Sequence, residues 1–153
     1  MGRRSNSGSP GSGVQSPVMG LPRIRVAVVD DEEAVRKALH RLVTAANCEA
    51  LSFATGAEFL AALPETAVDC LVLDLQMPGM TGLEVLERLS AAQARLPTVI
   101  ITAHDELGSE KQCRAAGAVA YLRKPLDGQV LLESISAAID SKTRSERAIT
   151  SQP

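Results

Sequence analysis

Short apolar runs alternate along the chain with segments whose apolar residues recur at helical spacing, and this alternation constrains the fold more than any other feature. Strand-like runs are predicted at residues 24–29, 49–53, 70–74, 97–102 and 119–122. Strand and helix patterns in tandem indicate an α/β fold, a doubly wound five-stranded parallel sheet with helices on both faces. Right-handed crossovers leave few topologies, and the flavodoxin-like strand order 2-1-3-4-5 is one of them.

Helix boundaries are marked by capping patterns. Thr55 with Glu58, and Thr81 with Glu84, have the spacing of a capping box. The helix after the fourth strand is predicted at about 106–116, because a glycine follows it directly. Asp127 is placed to cap the last helix.

The two ends of the chain differ in composition from its middle. Residues 1–22 are rich in Ser, Gly and Pro, which predicts a disordered tail. Residues 23–140 carry the alternating pattern and form the predicted domain, and residues 141–153 are predicted to be a polar C-terminal tail. The N-terminal residues lack the apolar segment of a secretory signal, so we expect a cytoplasmic protein.

Charge and cysteine content exclude several classes of function. The net charge is −2, so composition gives no bias toward direct nucleic-acid binding or a membrane surface. No apolar run is long enough to span a bilayer. The three cysteines are widely separated and no Cys/His spacing typical of zinc appears, which favours reduced thiols.

Polar residues follow the apolar runs at the ends where open α/β sheets bind ligands. Asp30 and Asp31 follow the first strand, Asp74 ends the third, Thr102 ends the fourth and Lys124 lies just beyond the fifth. Three carboxylates brought together repel one another unless a cation neutralises them, and oxygen ligands favour Mg²⁺. The set predicts phosphoryl transfer to a carboxylate, with the metal and the lysine stabilising the charge.

Each of these residues also has a purely structural explanation. An Asp pair before a helix is a common N-cap, and Thr102 has the β-branched side chain usual in strands. Lys124 fits an ordinary surface lysine. The functional interpretation depends on their joint occurrence at the same end of successive strands.

Four segments together resemble the receiver domain of two-component response regulators. They are Val28–Glu32, Leu73–Gly82, Val99–His104 and Tyr121–Pro125. The resemblance covers about residues 24–140. It implies that Asp74 is the phosphoacceptor, charged by a sensor histidine kinase or a histidine phosphotransfer protein.

The resemblance also implies a metal site. Asp31 and Asp74 are expected to bind Mg²⁺ directly, Asp30 is expected to act mainly through a water, and the backbone carbonyl of Gln76 is expected to complete the protein ligands. Thr102 and Lys124 are expected to contact the phosphoryl oxygens. The bond before Pro125 is expected to be cis.

The same resemblance implies a conformational switch. Thr102 is expected to move toward the phosphoryl group and Tyr121 to turn inward, changing the surface formed by the fourth helix, fifth strand and fifth helix. An alternative for Tyr121 is an edge-strand residue that covers the last helices. The side chains of Gln76 and His104 are expected to shape access of the attacking water.

The resulting hypothesis is a single-domain response regulator that signals to an unknown downstream protein. It is not expected to be an enzyme beyond catalysing its own phosphorylation and dephosphorylation, and phosphorylation-dependent homodimers are an option in this family. Alternatives are a phosphate sink or shuttle in a phosphorelay, a receiver fragment of a larger DNA-binding regulator, and a degenerate receiver that binds without phosphorylation. A phosphohydrolase with an aspartyl-phosphate intermediate is disfavoured, because it needs a second Asp where this chain has Gln76.

Overall fold

Strands and helices alternate throughout the part of the chain that the structure describes. The computed structural model describes residues 23–150, with side chains described for residues 23–144. The strands are β1 (Arg25–Val29), β2 (Glu49–Phe53), β3 (Cys70–Asp74), β4 (Thr98–Thr102) and β5 (Ala118–Arg123). The helices are α1 (Glu33–Ala45), α2 (Gly56–Ala62), α3 (Gly82–Ala91), α4 (Ser109–Ala115) and α5 (Gly128–Thr150), with a 3₁₀ turn at Leu63–Glu65.

All strand pairs are parallel and the sheet order is β2-β1-β3-β4-β5. This confirms the predicted doubly wound fold and the predicted strand order. The register aligns Asp74 of β3 with Ile101 of β4, and Thr102 of β4 with Arg123 of β5. The carboxyl ends of the three strands therefore meet at one edge of the sheet.

The core lies on both faces of the sheet, which explains why the strands are apolar throughout. On β1, Ala27 and Val29 face one core cluster while Val26 and Val28 face the other. The first cluster includes residues of α2, α3 and α4, and the second includes residues of α1 and α5. Alternate side chains of a strand point to opposite faces, so each strand contributes to both clusters.

The predicted helix caps are present, with one difference. Thr81 and Glu84 form a complete capping box at the start of α3. At α2 the Thr55 hydroxyl accepts from the backbone N–H of Glu58, but the Glu58 carboxylate accepts from Ala54 and not from Thr55. Asp127 accepts hydrogen bonds at the start of α5, as its position predicted.

Two helix boundaries differ from the sequence-based prediction. The helix predicted at 106–116 is shorter, because Gly108 adopts φ +87° and α4 begins only at the next residue. In the other direction, α5 continues to Thr150, so the predicted boundary between domain and tail at residue 140 falls inside a helix. Residues 1–22, predicted to be a disordered tail, lie outside the described residues. Within the described range, no helix has the length and apolarity needed to cross a membrane.

Candidate functional site

Three carboxylates meet at the carboxyl edge of the sheet. Asp74 is the last residue of β3, and Asp30 and Asp31 directly follow β1, which pairs with β3. An oxygen from each of the three lies within 4.8 Å of the others. Asp30 is completely buried and Asp74 is 3% exposed, whereas Asp31 is exposed to solvent. The three predicted carboxylate ligands are thus brought together, with two of them inside the protein.

The backbone beside Asp74 is packed tightly against the start of α3. A Cβ added at Gly82 would lie 2.5 Å from the backbone oxygen of Asp74 and 2.8 Å from the Cα of Leu75. The Gly82 N–H donates to the Leu75 carbonyl at 2.8 Å. Only glycine fits this approach, so the short loop between β3 and α3 fixes where the Asp74 strand ends.

Every polar group of Asp30, in the side chain and in the backbone, forms a hydrogen bond. Its carboxylate accepts from the backbone N–H of Glu32 at 2.8 Å and from Lys124 at 2.9 Å. Its N–H donates to the Phe53 carbonyl, and its own carbonyl accepts from Arg36 of α1 at 2.7 Å. A buried charge of this kind is stabilised only when it is paired and fully hydrogen-bonded.

Lys124 supplies the positive charge of the site. Its Nζ lies 2.9 Å from Asp30, 3.4 Å from Glu32 and 3.5 Å from Asp74, and its side chain is 13% exposed. Burial lowers the pKa of Lys124, but the hydrogen bond to Asp30 and the charges of Asp74 and Asp30 outweigh it and raise the pKa overall. The ammonium is therefore charged at neutral pH. The Lys124–Pro125 peptide bond is cis.

The Asp74 carboxylate is electrostatically destabilised in the absence of a metal ion. Burial, followed by the negative charge of Asp30, raises the pKa of Asp74 to about 7, although Lys124 acts in the opposite direction. Burial favours the neutral form of an acid, and a neighbouring carboxylate does the same. One lysine therefore does not neutralise this group of acids.

This donor set fits a hard divalent cation. All three side chains offer oxygen, the ligand type that Mg²⁺ prefers, and their oxygens are close enough for one ion. Burial and the charge of Asp30 both raise the pKa of Asp74, and a cation between the carboxylates would offset the second of these effects. Gln76, whose backbone carbonyl is the fourth predicted ligand, lies two residues beyond Asp74 in the same loop.

Thr102 lies at the same edge, but its hydroxyl is engaged elsewhere. The side chain is completely buried. Its Oγ1 donates to the His104 carbonyl at 2.9 Å and accepts from the His104 N–H at 3.1 Å. Gln76 Nε2 donates weakly to the same carbonyl at 3.5 Å, and Gln76 Oε1 is buried without a partner. Thr102 is thus beside the carboxylates, with its hydroxyl bound within its own loop.

Tyr121, the predicted switch residue, lies on β5 and reaches the loop after β4. Its hydroxyl donates to Asp105 at 3.0 Å. Arg123, two residues further along the strand, forms an ion pair with the other oxygen of Asp105 at 2.6 Å. Tyr121 also packs against the core cluster that includes residues of α4, and β5 is an edge strand, so these contacts fit the edge-strand alternative as well as the switch.

Three contact residues were not predicted from the sequence. Glu32 contacts Lys124, Arg36 binds the Asp30 backbone, and Asp105 joins the β4–α4 loop to β5. Glu32 directly follows the Asp pair and Arg36 lies in the first turn of α1, and this closeness in sequence marks both as neighbours of the site. Asp105 lies in a loop without periodicity, and only its distance of three residues from Thr102 relates it to the site.

A family model for the response regulator receiver domain matches residues 26–136. Among curated proteins, the chain is 34% identical over 121 residues to the transcriptional regulatory protein FixJ of Rhizobium meliloti, covering 79% of this chain and 59% of that protein. It is 37% identical over 114 residues to the DNA-binding transcriptional regulator NtrC of Escherichia coli, covering 74% of this chain and 24% of that protein.

Solved structures give the same result. A CheY-like receiver domain protein from Methanospirillum hungatei superimposes with a TM-score of 0.77 at 26% identity, covering 81% of this chain and 99% of that one. The chain spans 59% of the length of FixJ and 24% of the length of NtrC, so the similarity concerns the receiver portion of those regulators. The family match covers most of the described residues. It includes all the predicted site residues at the carboxyl edge of the sheet, namely Asp30, Asp31, Asp74, Thr102 and Lys124. The chain therefore belongs to the receiver domain family of two-component response regulators.

Proposed function

We propose that this receiver accepts a phosphoryl group on Asp74, acting in the cytoplasm with Mg²⁺. The observation that supports this most strongly is the buried Asp74 carboxylate beside two further aspartates, with Lys124 3.5 Å away. A carboxylate that is short of neutralising charge is suited to bind a cation and, with it, an anionic phosphoryl group. Buried charges in proteins are paired or coordinate metals, and here two buried aspartates share one lysine.

The proposed reaction is an in-line transfer from a phosphohistidine to the Asp74 carboxylate. One carboxylate oxygen of Asp74 forms the new P–O bond while the P–N bond of the donor breaks, and its electron pair returns to the imidazole nitrogen. Transfers of this kind require positioning and charge stabilisation more than covalent help from the protein. Sensor histidine kinases and histidine phosphotransfer proteins are the proposed donors.

The chain's own residues divide this work. Asp31, Asp74, Asp30 through a water, and the Gln76 carbonyl would hold Mg²⁺, which supplies positive charge beside the transferred group. The Lys124 ammonium, held at the pocket by Asp30, would pair with a phosphoryl oxygen. Thr102 would donate its hydroxyl to another phosphoryl oxygen.

The proposed output is a change of surface rather than a reaction on a separate substrate. Movement of Thr102 and Tyr121 would alter α4, β5 and α5, which an unidentified protein partner or a second copy of the chain would bind. Catalysis by this chain would be limited to its own phosphorylation and dephosphorylation. The relatives FixJ and NtrC are named as transcriptional regulators, and this chain matches their receiver portions.

The test is incubation with Mg²⁺ and a small phosphodonor such as acetyl phosphate. Phosphate-affinity gel electrophoresis should show a retarded species for the wild type, and none for D74N or for wild type in EDTA. A matched control is D69N, because Asp69 also lies beside β3 but contacts Arg25 at the opposite edge of the sheet. The proposal fails if D74N is phosphorylated as strongly as the wild type.

A further inference from the structure

Asp105 of the β4–α4 loop contacts two residues of β5 at once. Its Oδ1 accepts from the Tyr121 hydroxyl at 3.0 Å, and its Oδ2 pairs with Arg123 at 2.6 Å. Tyr121 and Arg123 are two residues apart on one strand, so their side chains leave the same face. Both carboxylate oxygens of Asp105 are therefore engaged with one face of β5.

The contact with Tyr121 matters more than the ion pair with Arg123. The Arg123 side chain is 72% exposed, and exposed ion pairs contribute little to stability. A phenol that donates to a carboxylate forms a charge-assisted hydrogen bond, which is stronger than a neutral one. Arg123 orients the Asp105 carboxylate, and Asp105 in turn holds the Tyr121 hydroxyl.

The same loop is attached at its other end to the phosphorylation pocket. The single proton of the Thr102 hydroxyl is donated to the His104 carbonyl. A hydroxyl with one proton cannot donate to His104 and to a phosphoryl oxygen at the same time. Donation to a phosphoryl group therefore breaks the bond from the Thr102 hydroxyl to the His104 carbonyl and leaves that carbonyl with only the 3.5 Å contact from Gln76. The second bond, from the His104 N–H to Thr102 Oγ1, must follow the hydroxyl or break.

Resting on the proposed function of Asp74, we propose that Asp105 is a positioning residue that holds Tyr121 in its unphosphorylated position and releases it when Thr102 binds the phosphoryl group. Asp105 directly follows His104, so loss of the bond to the His104 carbonyl, with displacement of the hydroxyl that the His104 N–H binds, shifts the backbone that carries the Asp105 carboxylate. The loop thus connects the pocket to the surface formed by α4, β5 and α5. Glu106, the next acid in the loop, has no side-chain partner among the described contacts and is the matched control.

The fluorescence of Tyr121 can report its release from Asp105. Tyr121 is the only tyrosine and the chain has no tryptophan. Tyrosine emission therefore reports on this one side chain. A phenol bound to a carboxylate emits weakly, because the carboxylate accepts the proton of the excited state, and release from Asp105 raises the emission.

The experiment compares wild type, D105A, D105N and E106A in Mg²⁺, before and after addition of acetyl phosphate, with circular dichroism to verify folding. Wild-type and E106A emission should rise on phosphorylation. Without acetyl phosphate, the emission of D105A should already equal that of phosphorylated wild type. It should change little when acetyl phosphate is added. D105N, which retains an acceptor oxygen but no charge, should lie between the two.

The results distinguish failure of the inference about Asp105 from failure of the proposed function of Asp74. Wild type that is phosphorylated with unchanged Tyr121 emission overturns the inference, as does D105A emission equal to that of unphosphorylated wild type. Absence of phosphorylation in wild type contradicts the proposed function instead. In that case the comparison of D105A with E106A, made without a donor, still shows whether Asp105 holds Tyr121.

Discussion

The Lys124 ammonium lies 2.9 Å from a carboxylate oxygen of Asp30, a residue with no solvent exposure. The pair joins the end of β1 to the end of β5 across 94 residues of sequence. It places a fixed positive charge at the pocket, although that charge is shared with Asp74 and Glu32.

Replacing Lys124 with Met should destabilise the protein strongly. The substitution leaves Asp30 and Asp74 buried without their cation, and removing one partner of a buried pair costs about 3–5 kcal/mol. Urea denaturation in EDTA at pH 8 measures the free energy of unfolding. Lys37→Met, which breaks an exposed pair with Glu33, should cost less than about 1 kcal/mol. Equal losses for the two variants contradict this account.

Gly82→Ala should disturb the position of Asp74. A Cβ at 2.5 Å from the Asp74 backbone oxygen forces α3 or the end of β3 to move, at a cost of about 1–3 kcal/mol. Phosphorylation by acetyl phosphate should slow as well. Gly79→Ala is the control, since its φ of +80° strains an alanine but no atom lies within 4 Å of the new Cβ. A normal phosphorylation rate in Gly82→Ala would show that this close approach does not position Asp74.

The residues at the carboxyl edge of the sheet show how much of the site could be predicted from the sequence. The positions of Asp30, Asp31, Asp74 and Lys124 follow from strand periodicity, because parallel strands present their carboxyl ends at one edge. The burial of Asp30 and the exposure of Asp31 do not follow from it, since adjacent residues after a strand have no fixed direction. The contact of Asp105 with β5 likewise depends on a loop whose path no periodic pattern predicts.

The helix boundaries were likewise predicted only in part. The apolar spacing predicted all five helices, and α3 begins where its capping box placed it. The start of α4 was missed because Gly108 takes a left-handed conformation that sequence alone does not require. The extent of α5 was missed because residues 141–150 are polar, and a polar segment can continue a helix whose first turns are already packed against the sheet.

The thiols should differ in reactivity. Cys70 is completely buried, and burial raises its pKa to about 12, whereas Cys48 is partly exposed. An aromatic disulfide reagent at pH 8 should therefore modify Cys48 first, and Cys70 and Cys113 only on unfolding. Following the released thiolate by absorbance should show one fast phase that is absent from Cys48→Ser. Persistence of that phase in Cys48→Ser contradicts the prediction.

The Tyr121 phenol should lose its proton only at a higher pH than an ordinary tyrosine. Burial, followed by the hydrogen bond and charge of Asp105 and a smaller effect of Cys113, raises its pKa from 10.0 to about 12, although the nearby Ser109 side chain opposes this. Because the folded-state pKa is above the ordinary value, the associated stability is present below about pH 10 and is lost as pH rises toward 12. Ultraviolet absorbance of tyrosinate in D105N should show a lower pKa that is still raised by burial. An unchanged titration in D105N would show that Asp105 does not contribute.

Chemical trapping of the acyl phosphate tests most directly whether Asp74 is the phosphorylated residue. Borohydride reduces an aspartyl phosphate to homoserine, and mass spectrometry of peptides locates the modified residue. After incubation with Mg²⁺ and acetyl phosphate, we expect homoserine at position 74 alone, and none when the donor is omitted. Homoserine at Asp30 or Asp31, or at no position in a phosphorylated sample, would contradict it.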